Sequence, residues 1–311
     1  MFKYIEDKMK KVIIFLMIIA IVSCLAAIDK DAGSKGYLFL KLPVSPAVAG
    51  MGGTGEMLSS SPLTLLHHPA ALDWNRGHKL AFSHTNWLVD TNMYNVAWRN
   101  VQFQQAYGLG LTYFDYGKLD KRLDNGTWIG EYYPMDMRLA GNYVRQITPT
   151  LYAGANLNII YEKIDTSSST ALTTDLGVSY QPPYSSVFDL AFKNIGFSSK
   201  MDMEKTELPL VVELGVTSFN SIDITINEKS LVMPLCYKLA YMDDHNNLIH
   251  SVGVEMNLQD MLYLRTGYKF NYNEENISAG LGVKYQNISI DYTFLNNKIE
   301  AVHLIGLGFE L

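Results

Sequence analysis

Residues 261–294 read MLYLRTGYKFNYNEENISAGLGVKYQNISIDYTF, and their hydrophobic period is two. In Met261–Phe270, Leu262, Leu264, Thr266, Tyr268 and Phe270 share one face, and Tyr263, Arg265, Gly267 and Lys269 share the other. In Ile277–Tyr285, Ile277, Ala279, Leu281, Val283 and Tyr285 oppose Ser278, Gly280, Gly282 and Lys284. Ile288, Ile290, Tyr292 and Phe294 then oppose Asn287, Ser289, Asp291 and Thr293. Successive side chains of a strand point to opposite faces, so each segment is a ribbon with one apolar face and one small or polar face. The length suits a strand crossing a bilayer at a tilt.

The pattern extends back to Lys79. Leu210, Val212, Leu214 and Val216 oppose Glu213, Gly215 and Thr217. Strands are expected to start near Lys79, Asn92, Gln105, Met135, Thr150, Ala171, Val187, Pro209, Leu231, Asn247, Asp260, Asn276, Asn287 and Ala301. That is about fourteen, the even count of a bacterial transmembrane β-barrel. Connectors alternate in length. One set is short: near Gln104, Thr148-Pro149, Gln181–Ser186, Leu258–Asp260 and Gln286-Asn287, with Phe219–Ser230 as an exception. The other holds the longer Tyr116–Pro134, Lys163–Thr170 and Ile195–Leu208. Short periplasmic turns and longer outer loops produce this parity. A water-soluble β-sandwich would share the alternation but has no need of the parity. Ile305, Leu307, Phe309 and Leu311 close the chain on one apolar face, and Trp74, Trp87, Trp98, Trp128 and 20 tyrosines could furnish interfacial girdles.

The N-terminus reads as an export signal. Lys8, Lys10 and Lys11 precede an apolar run from Val12 to Val22 that is too short to span comfortably, and Met9 is a plausible start. Cleavage near Ala26 is expected, with a lipidated Cys24 as the alternative. The mature chain then keeps Cys236, and a single cysteine forms no internal disulfide. A net charge of −6 without a basic tract argues against nucleic acid as a partner. The division expected is signal peptide 1–26, hatch segment 27–78 and all-β transmembrane barrel 79–311.

The hatch assignment comes from Gly33 to Trp74, GSKGYLFLKLPVSPAVAGMGGTGEMLSSSPLTLLHHPAALDW, which has neither period and is rich in Gly, Pro and Ser. It reads as a plug inside the barrel. Gly50, Gly52 and Gly55 spell GxGxxG with Asp73 downstream, but Pro43 and Pro46 spoil the strand a dinucleotide site needs. Tight packing in a narrow lumen explains these glycines and Gly53 without a cofactor. His67 and His68 could be joined by His78 or His84 around a metal. Adjacent side chains of an extended segment diverge, so histidines bonded to lumen polar groups are the better reading. Asp243–Asn247 lacks the glycine turn and distal Glu of a calcium loop. Ser83 and His84 point to opposite faces of a strand, and no G-x-S-x-G elbow exists. No cofactor, metal or catalytic group is expected, and the chain reads as non-enzymatic. The polar faces should place Asn95, Arg99, Arg138, Asn142, Asn156, Asn158, Asp175, Glu213, Arg265, Lys269, Lys284 and Asp291 in the lumen, pairing among themselves and with the hatch.

GYLFLKLPVSPAVAGMGGTGEML, HHPAALDW and SHTNWL, followed by TDLGVSYQPPYSSVFDLAFKNIG, ELPLVVELGVTSF and HLIGLGFEL, resemble the PorV/PorQ family of outer-membrane barrels in order along nearly the whole mature chain. The departure is His68-Pro69-Ala70, where such proteins usually read Asn-Pro-Ala. The resemblance implies a FadL-like fold in the bacterial outer membrane, a monomeric barrel in contact with lipid. It also implies docking or anchoring of proteins exported by type IX secretion, through outer loops. Tyr116, Trp128, Tyr132 and Tyr133 would form the partner-binding surface, and Gly50, Gly52, Gly53, Gly55, His67, His68, Pro69 and Ala70 the hatch. The alternative is a FadL-like passive channel for a small hydrophobic solute.

Overall fold

A computed structural model describes residues 35–71, 75–183, 186–202, 204–226, 229–245, 248–272 and 274–311. The export signal, Cys24, Asp73 and Trp74 lie outside the described residues. Among the described residues eighteen strands follow one another: β1 (Gly77–Asn86), β2 (Asn92–Val101), β3 (Gln105–Asp115), β4 (Leu119–Arg122), β5 (Trp128–Tyr132), β6 (Met135–Thr148), β7 (Leu151–Ile164), β8 (Ser167–Tyr180), β9 (Ser186–Ser198), β10 (Lys200–Met201), β11 (Glu204–Lys205), β12 (Val211–Ile226), β13 (Lys229–Met242), β14 (Ile249–Leu258), β15 (Leu262–Phe270), β16 (Glu275–Tyr285), β17 (Ile288–Asn297) and β18 (Val302–Glu310). Fourteen of them form a closed barrel in the order β1-β18-β17-β16-β15-β14-β13-β12-β9-β8-β7-β6-β3-β2. Every barrel pairing is antiparallel, and closure runs through Lys79↔Glu310 to Asn86↔His303. A closed sheet leaves no unpaired edge, which is what lets strands stand in hydrocarbon.

The alternation sorts as the sequence demands. Leu109, Leu139, Leu157, Leu214, Leu281 and Ile305 are exposed on the outside, while Asn95, Arg99, Arg138, Asn142, Asn156 and Asp175 are buried inside. Such a belt of apolar side chains around the whole girth matches a lipid-facing surface rather than a soluble sandwich.

Three connectors differ from the sequence expectation. The exception at Phe219–Ser230 disappears, because β12 and β13 run on to Ile226 and Lys229 in one ladder. Lys163–Thr170 is a two-residue turn: its Ser/Thr composition suggests a loop, yet Ser168, Ser169 and Thr170 pair with Lys163, Glu162 and Tyr161. Ile195–Ser198 belongs to β9, so the long loop there begins later and carries the small β10–β11 hairpin. Extending a strand by a few residues satisfies more backbone groups than a loop does, and this outweighs composition.

Inside the barrel lie residues 35–71. They include a one-turn 3-10 segment at Leu38–Lys41, a four-residue helix α1 (Pro46–Ala49) and a second 3-10 turn at Pro62–Leu66. The segment starts at the long-loop end, where Gly36 N–H donates to the Glu207 carbonyl at 3.0 Å. It then passes α1 along β16, β17 and β18 and brings the Pro62–Leu66 turn against β1, β2 and β3.

Candidate functional site

The inner wall and the hatch fit by two devices: missing side chains and wall-to-backbone hydrogen bonds. A Cβ placed on Gly154 would meet the Pro69 carbonyl oxygen at 2.2 Å, and one on Gly267 would meet Gly52 N at 2.1 Å. The small inward residues therefore mark where the hatch backbone lies against the wall. The polar inward residues cap that backbone. Ser83 donates to the Val44 carbonyl at 2.6 Å, Thr293 to Pro46 at 2.6 Å, Ser278 to Gly50 at 3.1 Å, Asn156 to Leu65 at 2.8 Å and Asn142 to Pro69 at 2.9 Å. Irregular backbone buried without water needs such partners.

The hatch residues singled out in the sequence are distributed along this contact. Gly52, Gly53 and Gly55 have φ of 70°, 78° and 77°, left-handed values that a Cβ disfavours, while Gly50 packs on Gly280. His67 Nε2 accepts from Ser45 N–H at 3.0 Å and lies 3.3 Å from Val44 N. His68 turns the other way: its Nδ1 accepts from Ala70 N–H at 3.1 Å and its Nε2 stands 3.6 Å from Asp189 Oδ1. Among the described residues no group of His, Cys, Asp and Glu is arranged to hold a metal ion.

Buried charges join hatch to wall. Lys238 binds the hatch carboxylate Glu56 and sits 3.6 Å from Glu213, which Lys193 reaches at 3.0 Å. On the adjoining strands β14, β15 and β17, Arg265 bridges Glu255 at 2.7 Å and Asp291 at 2.5 Å. Removing one member of such a set strands the others, so the Lys238–Glu56 pair ties the hatch to one register while the Arg265 set braces the wall.

Toward the long-loop end the inner wall changes character. Met93, Phe114, Ile160 and Ala171 point inward there and pack on Tyr37 and Phe39 of the hatch, with Trp87, Tyr116 and Leu208 around them. The first residues of the hatch, 35–42, fill this apolar chamber. Tyr37 sits in the left-handed region at φ 53°, is 1% exposed, and its hydroxyl meets Ser169 Oγ at 2.5 Å. The arm is fastened at the rim: Lys35 pairs with Glu207 at 2.5 Å and Asp243 at 3.2 Å, and Lys41 pairs with Asp244. The hydrogen bond from Lys35 holds the Glu207 carboxyl below its ordinary value. Burial pulls Asp244 up, but hydrogen bonds from Lys41 and His245 outweigh it and leave that carboxyl below the usual carboxylate range.

The four loop aromatics separate. Tyr116 folds over the chamber, donating to Asp136 Oδ2 at 2.7 Å and meeting Phe114 edge-on at 4.6 Å. Burial, with the Asp136 carboxylate beside it, keeps its phenol protonated far above the usual range. Trp128 and Tyr133 are exposed on the β4–β5 hairpin and its exit, and Tyr132 is half-buried opposite Leu119. The expected single aromatic surface is thus two features, because Tyr116 precedes the hairpin and is drawn down by Asp136. Among the tryptophans, Trp98 faces outward, whereas Trp87 packs on the chamber residues rather than toward lipid.

Sequence reasoning missed the chamber. Its signal is the break in alternation at Tyr113-Phe114 and Ile159-Ile160, where both faces are apolar.

Solved structures similar to this barrel include two outer-membrane proteins. The toluene transporter TodX of P. putida superposes with a TM-score of 0.61 at 13% identity, over 85% of this chain and 97% of its own. A Pseudomonas aeruginosa FadL homologue gives 0.55 at 11% identity, over 86% and 99%. The fold is that of a FadL-like outer-membrane barrel. No family model and no curated protein matches the sequence of this FadL-like barrel. The PorV/PorQ resemblance therefore gains no support beyond the FadL-like fold it implied.

Proposed function

We propose that this FadL-like barrel resides in the bacterial outer membrane and passes a small apolar solute through a lumen gated by its hatch, without enzymatic chemistry. The observation that carries the reading is the apolar chamber of Met93, Phe114 and Ile160 beneath the long loops, filled by the hatch arm. The inward apolar groups are largest and most numerous at this end, with Val101, Ala106 and Val144 forming a smaller cluster at the short-turn end, and a wall built only to seal has no need of that asymmetry. One of the solved structures with this fold is a toluene transporter, which agrees with an apolar cargo. The test is permeation: lipid vesicles holding the purified barrel should admit a small radiolabelled hydrocarbon faster than empty vesicles. A variant lacking residues 35–42 should raise the rate further. Equal rates with and without the barrel would remove the proposal.

A second reading is docking of an exported protein at the cell surface, as in type IX secretion. It is favoured by the β4–β5 hairpin, which exposes Leu123, Trp128, Ile129 and Tyr133 beyond the barrel mouth. Isolation of the barrel from native outer membranes would then recover one surface-exposed protein, and recovery would be lost on deleting the hairpin.

A further inference from the structure

The chamber holds more hydrogen-bond acceptors than its present occupant uses. Asp136 on β6 and Glu162 on β7 are direct ladder partners, and both point inward. Like charges placed opposite one another in a sheet destabilise it, so an unaided pair here calls for an explanation. Asp136 is 1% exposed; its Oδ2 takes the Tyr116 hydroxyl, but its Oδ1 is buried with no partner among the described residues. Glu162 Oε2 is also buried without a hydrogen bond of normal geometry, the Tyr37 backbone N–H being the group that approaches this carboxyl. A buried acceptor left without a donor destabilises the fold that holds it.

What fills the chamber beside these acceptors is a phenol. Tyr37 reaches in from the hatch arm, its hydroxyl on Ser169 and its backbone N–H toward the Glu162 carboxylate. Its backbone sits in a left-handed conformation that a non-glycine residue rarely adopts, so the side chain is held at the expense of the chain that carries it. The cations on the arm, Lys35 and Lys41, are already engaged by Glu207, Asp243 and Asp244 at the rim.

Resting on the uptake reading above, we propose that Tyr37 is an internal stand-in for the solute. The geometry assigns to the chamber a neutral, aromatic-sized apolar molecule bearing one hydroxyl donor, which displaces Tyr37 and donates to Asp136 Oδ1 or Glu162 Oε2. A carboxylate-bearing molecule of the same size is rejected, because it would bring a further negative charge beside two facing carboxyl groups in an apolar setting.

The test uses the full mature barrel in lipid nanodiscs, with equilibrium dialysis of three matched probes: 4-propylphenol, propylbenzene and 4-propylbenzoate. The phenol should be retained at least about tenfold better than either of the others, a difference of about 1.4 kcal/mol. Tyr37→Ala should tighten phenol binding by about tenfold, and the milder Tyr37→Phe, which deletes only the hydroxyl bonded to Ser169, by a smaller factor. The double variant Asp136→Asn, Glu162→Gln should bring benzoate close to phenol; its folding is checked by heat-modifiable gel migration. Should that variant misfold, the single-site Tyr37 series still decides. Benzoate or propylbenzene binding as well as phenol to the unaltered barrel would overturn the assignment, and so would Tyr37 variants without effect. In that event propylbenzene entry into barrel-containing vesicles would leave the uptake reading standing, whereas failure of all three probes to bind or cross would end both.

Discussion

Asn156 links hatch to wall at a single residue: its Nδ2 lies 2.8 Å from the Leu65 carbonyl and 3.1 Å from Asp175. Asn156→Ala should leave the Leu65 carbonyl buried without a donor, lowering stability by about 1–3 kcal/mol. Thermal denaturation in detergent would register this, and an unchanged midpoint would show that water replaces the amide. Asp244 gives the corresponding pH prediction. Its carboxyl is held below the ordinary range in the folded protein, so its contribution is complete above the free value of about 4 and lost as pH falls through the lower folded value. Acidification through this window should loosen the arm at Lys41 and speed hydrogen exchange of residues 37–42. Asp244→Asn should exchange fast already at neutral pH, with the acid-dependent rise gone.

At the scale of elements, the β4–β5 hairpin pairs only with itself and stands outside the barrel ladder. Its attachments are half-exposed ion pairs such as Lys121–Asp165, partly screened by water and therefore weak. Replacing residues 119–132 with a short Gly-Ser linker should therefore cost less than about 1 kcal/mol. Permeation of an apolar solute should persist, since Tyr116 and the chamber wall remain. A large drop in melting temperature would instead make the hairpin part of the barrel's own framework. The β7–β8 and β12–β13 connections show the same principle in reverse. Segments that look like loops by composition are drawn into the ladder because their neighbours supply backbone partners.

For the whole molecule, the decisive property is which face meets lipid. Leu109 points outward and Arg138 inward, so the barrel tolerates the buried arginine but should not tolerate a charge on the belt. Leu109→Arg should weaken folding into lipid vesicles by about 2–4 kcal/mol if the position lies near the bilayer midplane. Equilibrium folding in urea would measure it, and a negligible change would contradict a membrane-spanning wall. Strand number, approximate strand starts and the inward polar set were legible from the sequence. A period of two is a local property, written in each segment by its own residues. The closing pair β1–β18 and the chamber at the long-loop end came from tertiary structure. So did the meeting of Asp136, Glu162 and Tyr37 from three separate segments. These depend on ladder register and on where the hatch crosses the lumen, long-range relations that no single stretch of chain encodes.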